Sequence, residues 1–253
     1  MSTLDKDQAY SPSHFATQVD ATLARQADAG RALVARHSPI AGRATVSPAT
    51  RFNLFVPDGD GPWTLMVFIH GGYWQELDAT ATDFLAQRYL ARGMAFASIG
   101  YDLAPDVSIE TMIEQCMQGL AAAFQALDEH GGAWSIKLGG HSAGAQLAYW
   151  VARRTPLPID RLLLVSGVFD LAPLVDTYVN APLDLNMEQA RALSPLHDDL
   201  SGLPPCRVVI AENDPPAFHR QADAFLAALA QAGVPCQRVE LPDCDHFDVL
   251  ERF

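Results

Sequence analysis

The sequence predicts an α/β protein in which helices cover both faces of a mostly parallel, doubly wound β-sheet. Along most of the chain, short apolar segments alternate with longer helical ones, which is typical of this class. The apolar segments are continuous and rich in Val, Ile, Leu and Phe, as expected for strands that are buried on both faces. With 253 residues, of which 49% are hydrophobic, the chain can build a large core. We therefore expect a single domain over residues 1–253.

Residues 1–43 are predicted to form a peripheral N-terminal arm. The arm contains a helical stretch from about residue 14 to 36, followed by the turn-forming sequence Ser-Pro-Ile-Ala-Gly at 38–42. Its first ten residues are polar and lack the basic and apolar regions of a signal peptide. Apolar runs elsewhere are too short to span a bilayer. These features predict a cytoplasmic protein that is not inserted in a membrane.

Seven short apolar segments are predicted strands, and four longer segments between them are predicted helices. The strand candidates are Arg51–Val56, Leu65–His70, Ala95–Gly100, Ser135–Gly139, Arg161–Ser166, Arg207–Ala211 and Gln237–Leu241. The helix candidates are Thr82–Arg92, Ser108–Glu129, Ala143–Arg153 and Ala217–Ala232. The last helix is expected to end there because Gly233 and Pro235 follow it, a common helix stop signal.

The segment from residue 170 to residue 205 interrupts this alternation. It is long, contains several prolines and is only weakly periodic, with one short predicted helix at Met187–Leu193. In α/β enzymes, an excursion of this kind usually covers a site at the carboxyl ends of the strands. We therefore predict that residues 170–205 form a small cap.

Charge and cysteine usage restrict the class of partner. The formal net charge of −13 argues against nucleic acid and anionic membranes, so a small-molecule substrate is expected, and a homodimer is left open. The four cysteines show neither a CxxC motif nor metal-ligand spacing, so we expect reduced structural thiols and no metal. Cys244 is the one candidate for a reactive thiol, because it lies close to His246.

The pentapeptide Gly-His-Ser-Ala-Gly at 140–144 matches the G-x-S-x-G pattern of nucleophilic serines. It follows the strand candidate Ser135–Gly139 and opens the helix candidate Ala143–Arg153, which is the context this motif requires. Small residues flank the serine because the strand and the helix approach closely at such a turn. An ordinary tight turn that contains a serine is the alternative. The context favours Ser142 as a nucleophile and specifies the α/β-hydrolase fold.

A serine nucleophile needs a base that takes its proton and a carboxylate that orients the base. In the α/β-hydrolase fold the acid and then the histidine follow the serine in the chain. Asp214 directly follows the strand candidate Arg207–Ala211, with Glu212 as its nearest rival, and the competing histidine is His219. The last strand candidate is followed by His246. The predicted catalytic residues are Ser142, Asp214 and His246.

The oxyanion of the tetrahedral intermediate requires hydrogen-bond donors. The sequence His-Gly-Gly-Tyr-Trp at 70–74 follows a strand candidate, where an HGGG-type oxyanion loop belongs, although a plain glycine turn is the alternative. We predict the N–H groups of Gly72 and Ala143 as the main donors, with Gly71 or Tyr73 adding a third. The aromatic side chains beside these motifs are candidate substrate contacts or structural residues: Tyr73, Trp74 and Phe247.

Six dispersed blocks of the sequence resemble the kynurenine formamidase (arylformamidase) family. These blocks are His70–Gln75, Tyr101–Pro105, Gly140–Ala145, Val165–Gly167 with Asp170-Leu171, Asp214–Gln221 and Asp245–Asp248. The resemblance begins at about Tyr10 and implies the hydrolysis of N-formyl-kynurenine to kynurenine and formate, without a metal or organic cofactor. It implies the same triad of Ser142, Asp214 and His246. One departure is Ala217, where the family commonly has Glu, which puts a contact beside the acid in doubt.

Two other functions remain open at this stage. A general short-chain carboxylesterase would use the same triad and differ only in its pocket. The discriminating feature is whether the cap supplies a polar anchor for an amino-acid head group, and the candidates are Asn180, Arg191 and His197. A non-catalytic hydrolase-like binding protein would typically have lost the nucleophile or the histidine, whereas this chain retains both.

Overall fold

The computed structural model describes residues 6–253, so residues 1–5 of the expected N-terminal arm lie outside the described residues. Within residues 6–253, eight strands form one sheet. They are β1 (Ile40–Arg43), β2 (Arg51–Phe55), β3 (Trp63–Ile69), β4 (Ala95–Ile99), β5 (Ala133–His141), β6 (Arg161–Val165), β7 (Cys206–Ala211) and β8 (Cys236–Leu241). Their order is β1-β2-β4-β3-β5-β6-β7-β8, and β2 pairs antiparallel with β1 and β4 while the rest of the sheet is parallel.

The α-helices of this part of the chain precede or connect the strands. They are α1 (Lys6–Ala9), α2 (Val19–His37), α3 (Ala86–Leu90), α4 (Ile109–Asp128), α5 (Ala143–Arg154), α6 (Met187–Ala192) and α7 (Pro216–Gln231). The Ser108 hydroxyl caps α4 by accepting a hydrogen bond from the N–H of Thr111. Beyond α7, Gly233 adopts a φ of 73°, a conformation that favours glycine and ends the helix.

The seven predicted strands are present, each within two residues of its expected ends, and the α/β-hydrolase fold is confirmed. The helix expected at Thr82–Arg92 instead consists of a 3₁₀ helix at Ala79–Leu85 followed by the short helix α3. Strand β1 was missed because Ile40–Arg43 shows no apolar alternation and had been assigned to the arm. Its pairing with β2, from Ile40 opposite Leu54 to Arg43 opposite Arg51, makes it an edge strand.

The sheet separates two layers of buried apolar side chains. Along β3, Leu65, Val67 and Ile69 face the layer that contains residues of α4, α5 and α7, whereas Met66 and Phe68 face the layer that contains residues of α2 and α3. Alternate residues of a strand point to opposite faces, so a strand covered on both sides must be apolar throughout. This explains why the central strands are continuous apolar runs.

Within residues 6–43, the expected N-terminal arm packs against the rest of the domain. Helix α2 packs on the 3₁₀ helix at Ala79–Leu85, and Arg25 pairs with Glu251 at 3.0 Å. Lys6 pairs with Asp176 at 2.6 Å and so connects the arm to the cap.

The cap itself is built of short 3₁₀ turns and α6, which begins with a capping box at Asn186. Within residues 6–253, no helix is long and apolar enough to cross a membrane.

Candidate active site

Ser142 lies at the turn between β5 and α5 and has a φ of 55° and a ψ of −122°. This conformation is strained for a residue with a side chain, and it is typical of a serine held at a strand-to-helix turn. The turn is held by hydrogen bonds from Ser142 N to the carbonyl of Val165 at 2.9 Å and from Ala145 N to the carbonyl of Ser142 at 3.0 Å. Two strands and a helix therefore fix the position of this hydroxyl.

His246 and Asp214 form a buried pair beside this turn. The Nδ1 of His246 donates a hydrogen bond to Oδ1 of Asp214 at 2.6 Å, although the two residues are 32 positions apart in the chain. Because a carboxylate only accepts, Nδ1 carries a proton, so the lone pair of a neutral His246 is on Nε2. The pair therefore has the tautomer that a general base requires.

Asp214 is held by further donors from two neighbouring elements. Its Oδ2 accepts a hydrogen bond from the hydroxyl of Ser166 at 2.6 Å and from the N–H of Ala211 at 2.8 Å. Burial by itself would raise the pKa of Asp214, but the electrostatic interaction with His246 and the hydrogen bonds from His246, Ser166 and Ala211 outweigh burial. The net pKa lies below its ordinary value. The carboxylate is therefore held in its charged form.

The rival residues lie in other environments. Glu212 is exposed and accepts a hydrogen bond from the N–H of Asp243, so it is turned toward that loop. His219 has its ring beside the carbonyl of Glu212 and the guanidinium of Arg238. Burial raises the pKa of the Cys244 thiol to about 11, so it is protonated and unreactive at neutral pH. The geometry thus supports Asp214 and His246 over each rival.

Two further histidines adjoin the site and are neutral. Burial lowers the pKa of His141 to about 3 and that of His70 to about 4. The Nε2 of His141 donates to the backbone carbonyl of His246 at 2.8 Å and so holds the loop that carries the base. The Nδ1 of His70 donates to the carbonyl of Gly71 at 2.8 Å, and its ring stacks on Tyr101 at 4.3 Å.

The loop at residues 70–74 approaches the serine closely. A Cβ on Gly71 would lie 3.0 Å from Cβ of Ser142 and 2.9 Å from the carbonyl oxygen of His141. A φ of 96° at Gly72 and of 48° at Tyr73 turns the backbone sharply here. Ala143 is the first residue of α5, so its N–H has no partner within the helix. The structure therefore brings the backbone of the predicted oxyanion donors beside Ser142.

A cavity of about 390 Å³ is lined by Ser142 and His246. The loop contributes His70, Gly71, Gly72 and Tyr73, and Phe247 follows the histidine. The cap contributes Tyr178 and Val179, so residues 170–205 do border the site. The N-terminal arm supplies a large part of the wall, namely Pro12, Ser13, Val19, Asp20, Leu23 and Gln26. The volume suits a small aromatic molecule.

The aromatic candidates divide between the cavity and the core. Tyr73 and Phe247 line the cavity, and the hydroxyl of Tyr73 donates to the carbonyl of Tyr10 at 2.6 Å. Trp74, in contrast, is fully buried and donates its indole N–H to Oε1 of Gln146 at 3.1 Å. Trp74 is therefore a core residue, and the prediction that it contacts substrate is corrected. In the core its ring is packed and its single N–H already has a hydrogen-bond partner.

The expected polar anchors of the cap do not line the cavity. Asn180 is bonded to the backbone of the cap itself, through Val175 and Leu185. Arg191 is exposed, and His197 lies beside Asp170 at 3.4 Å. Polar groups that interact with a substrate head group must therefore come from other elements.

Sequence reasoning missed several residues that organise the site. The hydrogen bond from Ser166 to Asp214 depends on the register of β6 and β7, which the local sequence does not show. Gln26 donates to the carbonyl of Phe247 at 2.9 Å, which no motif indicates. The position of His141 inside the G-x-S-x-G motif was a sequence signal that it lies near the site. Within residues 6–253, no group of His, Cys, Asp and Glu side chains could hold a metal ion.

Comparisons with known proteins agree with this fold. A family profile of the alpha/beta hydrolase fold matches residues 66–189 and 169–249. This chain is 31% identical to the kynurenine formamidase of Danio rerio over an alignment that covers 80% of this chain and 72% of that protein. It is 33% identical to the kynurenine formamidase of Salmo salar over an alignment that covers 74% of this chain and 67% of that protein.

A solved structure from Silicibacter sp. TM1040, provisionally described as a thioesterase, resembles the fold throughout. It superposes with a TM-score of 0.85 at 26% identity and covers 98% of this chain and 94% of that one. Such coverage means that the N-terminal arm and the cap segment both have counterparts in that structure.

Proposed function

Because this chain belongs to the kynurenine formamidase family of alpha/beta hydrolases, we propose that it hydrolyses an aryl formamide by a Ser142–His246–Asp214 triad. The best candidate substrate is N-formyl-L-kynurenine, which would yield L-kynurenine and formate. The observation that carries the proposal is the 2.6 Å bond from His246 to Asp214 in a cavity that Ser142 also lines. The family shows that the chain is a hydrolase, and the substrate and the triad are what we propose.

The first half of the reaction forms an acyl-enzyme. Nε2 of His246 takes the proton of Ser142 as the serine oxygen attacks the formyl carbon. The resulting oxyanion accepts hydrogen bonds from the N–H groups of Gly72 and Ala143, with Gly71 or Tyr73 as a third donor. The C–N bond then breaks, His246 gives its proton to the leaving aniline nitrogen, and formyl-serine remains.

The second half releases formate. His246 takes a proton from water as the water oxygen attacks the formyl carbon of formyl-serine. The ester bond breaks, the serine oxygen recovers the proton from His246, and formic acid leaves and releases its proton to solvent as formate. An aryl amine is a better leaving group than an alkyl amine, so an esterase-like triad is suited to this amide. Asp214 stays charged throughout and stabilises the imidazolium that forms in each half.

Replacement of the nucleophile tests the proposal. We expect purified protein to convert N-formyl-L-kynurenine to L-kynurenine, and Ser142→Ala to lower kcat by more than about 10³-fold. The control Ser201→Ala changes an exposed serine outside the cavity and is expected to retain full turnover. Circular dichroism and urea denaturation would show that Ser142→Ala is folded.

The other outcomes identify the rival functions. Absence of formamide turnover together with rapid cleavage of p-nitrophenyl acetate would indicate a general carboxylesterase and contradict the formamidase proposal. A fluorophosphonate probe reports on the nucleophile independently of substrate, because it forms an adduct with an activated serine. Failure to label Ser142 would contradict the triad and support a non-catalytic binding protein.

A further inference from the structure

His141 connects the proposed nucleophile to the proposed base. It is the last residue of β5 and directly precedes Ser142. Its Nε2 donates a hydrogen bond to the backbone carbonyl of His246 at 2.8 Å, although the two residues are 105 positions apart in the chain. The centroids of the two imidazole rings lie 4.6 Å apart. One side chain therefore links the turn that carries Ser142 to the loop that carries His246.

Two other bonds hold the His246 loop from different directions. Oδ1 of Asp245 accepts a hydrogen bond from the N–H of Phe247 at 2.9 Å, a local bond that shapes the loop. Gln26 donates to the carbonyl of Phe247 from the side of α2. These bonds fold the loop and attach it to the N-terminal arm, whereas the bond from His141 attaches it to the nucleophile turn.

This attachment matters because the bond from His246 to Asp214 fixes only one side of the imidazole. That bond is made at Nδ1, whereas the proton of Ser142 is taken at Nε2, on the far side of the ring. A rotation of the backbone at His246 would swing Nε2 away from the serine while Nδ1 stays bonded. A displacement of about 1 Å in a reacting group lowers a rate by as much as about 10²-fold. The position of the His246 carbonyl therefore bears on catalysis.

The ring of His141 is itself firmly held. It is buried, and a Cβ on Gly71 would lie 3.1 Å from its Nδ1, so the ring packs between the oxyanion loop and the His246 loop. Burial, with a smaller effect of His246, lowers the pKa of His141 to about 3, so the ring is neutral at pH 7. A neutral ring supplies a donor without adding a charge that would oppose protonation of His246.

We propose that His141 is a positioning residue that holds Nε2 of His246 within reach of the Ser142 hydroxyl, through its bond to the His246 carbonyl. This inference rests on the proposed function, because it concerns the same triad, and it adds a fourth side chain to the machinery. His141 acts through the base and bonds no reacting atom. Its loss is therefore expected to lower kcat and to leave KM unchanged.

Two amides of the same chemistry test the position of the donor. The amide nitrogen of glutamine lies as far along the side chain as Nε2 of histidine, whereas that of asparagine is one carbon shorter. We expect H141Q to retain kcat within about 3-fold of wild type and H141N to lower it by about 30- to 100-fold, with KM within about 2-fold in both. The substrates are N-formyl-L-kynurenine and p-nitrophenyl acetate. Fluorophosphonate labelling of Ser142 should slow in H141N in parallel, because it needs the same base.

Two further variants separate positioning from stability. H141M removes the donor without leaving an unpaired amide in the core, so it should show the loss of kcat even if H141N does not fold. The control L127A removes a fully buried side chain of α4, outside the cavity, and should lower stability by leaving a void. Below its unfolding temperature, L127A should retain the wild-type kcat. Urea denaturation gives the stability of each variant.

The outcomes distinguish failure of this inference from failure of the proposed function. If wild type hydrolyses neither substrate and the probe does not label Ser142, the proposed function fails and this inference fails with it. If wild type cleaves only the ester, formamide hydrolysis fails and the ester still tests His141.

Three results would overturn the positioning role while the triad stands. The first is wild-type kcat in folded H141N or H141M. The second is a kcat for H141Q as low as that of H141N, because the donor would then not be what matters. The third is a rise in KM with kcat unchanged, which would mean that the ring contacts the substrate.

Discussion

Two of the donors to Asp214 lie far from it in the chain: Ser166 is 48 positions away and His246 is 32 positions away. Ser166 adopts a φ of 46°, and its N–H donates to the carbonyl of Val209 at 2.8 Å, so the backbone of β6 and β7 aims its hydroxyl at the carboxylate. A hydrogen bond to a buried charge contributes more than one between neutral groups. Ser166 is therefore a positioning residue for the acid.

Removal of this hydroxyl should cost stability in a pH-dependent way. We expect Ser166→Ala to lower the free energy of unfolding at pH 7 by about 1.5–3 kcal/mol, because Asp214 loses a charge-assisted bond. The pKa of Asp214 is depressed in the folded state, so its contribution is present above the ordinary carboxyl value and is lost as pH falls through the folded value. Urea denaturation at a series of pH values should show the deficit shrinking below about pH 4.

A second buried hydroxyl provides the control. Thr177 is buried, and its Oγ1 donates to the backbone carbonyl of Leu174 at 2.8 Å, a neutral partner. Thr177→Val should lower stability by about 1 kcal/mol at every pH. A pH-independent deficit in Ser166→Ala would contradict the assignment of its bond to the charged carboxylate.

At the scale of elements, the position of Ser142 depends on how closely α5 approaches β3. A Cβ on Gly144 would lie 2.3 Å from the carbonyl oxygens of both Ile69 and His70, and a Cβ on Gly140 would lie 2.1 Å from the carbonyl oxygen of Gly144. The glycines of the motif are therefore required by packing of backbone on backbone. The same contact places the N-terminal end of α5 beside the oxyanion loop.

A methyl group at this contact should separate the helix from the strand. We expect Gly144→Ala to destabilise the protein by about 3 kcal/mol and to abolish formamide turnover, because a backbone carbonyl cannot give way as a side chain can. Thermal unfolding and activity measurements check both effects.

Another helical glycine serves as a matched control. At Gly119 in α4, a Cβ would meet only the Ile99 side chain at 3.4–3.6 Å, which is ordinary contact. Gly119→Ala should retain activity and leave stability unchanged or higher by up to about 1 kcal/mol, because alanine favours helix. Equal tolerance of both substitutions would refute the close-approach argument.

The same scale explains the function of the N-terminal arm. Helix α2 pairs with the C-terminal segment through Arg25, bonds the histidine loop through Gln26 and lines the cavity through Leu23. Tyr10, ahead of α2, accepts from Tyr73 of the oxyanion loop. The N-terminal arm thus bridges the loops that carry the proposed oxyanion donors and the proposed base.

For the whole molecule, buried neutral histidines make stability depend on pH. The folded pKa values of His70 and His141, about 4 and about 3, lie below the unfolded value of about 6.5. The unfolded chain therefore binds more protons between these values, and stability rises with pH across that window. Asp83 acts in the opposite direction, since burial raises its pKa to about 6 and the folded state then holds the extra proton.

Replacement of one histidine by a neutral amide should flatten this dependence. His141→Gln keeps a donor for the carbonyl of His246 and cannot titrate. From pH 7.5 to pH 4.5 we expect this variant to lose about 2–3 kcal/mol less stability than wild type, at about 1.4 kcal/mol per pH unit and proton. Urea denaturation across that range gives both slopes.

A variant at the other histidine tests the same mechanism independently. His70→Asn should show a similar flattening, because its amide can replace the donor at Nδ1. Asp83 is common to all these proteins, so its opposite contribution cancels in the comparison. Slopes parallel to wild type in both variants would mean that these histidines are protonated in the folded protein.

Local chemistry in the sequence was enough to predict much of the fold. Continuous apolar runs marked β2 to β8, and the glycine-rich turns after β3 and β5 marked the proposed oxyanion loop and the proposed nucleophile. The order of Ser142, Asp214 and His246 nominated residues that the structure brings together. These features could be predicted because backbone sterics, strand burial and chain order act over a few residues.

Only the tertiary structure decided which distant residues meet. It placed Trp74 in the core, turned Ser166 toward Asp214, made Ile40–Arg43 an edge strand and brought Asp20 to the wall of the cavity. None of these follows from local pattern, because each depends on strand register and on how helices pack across the sheet. The sequence by itself therefore determined the fold class and the candidate chemistry, and packing determined the shape and charge of the pocket.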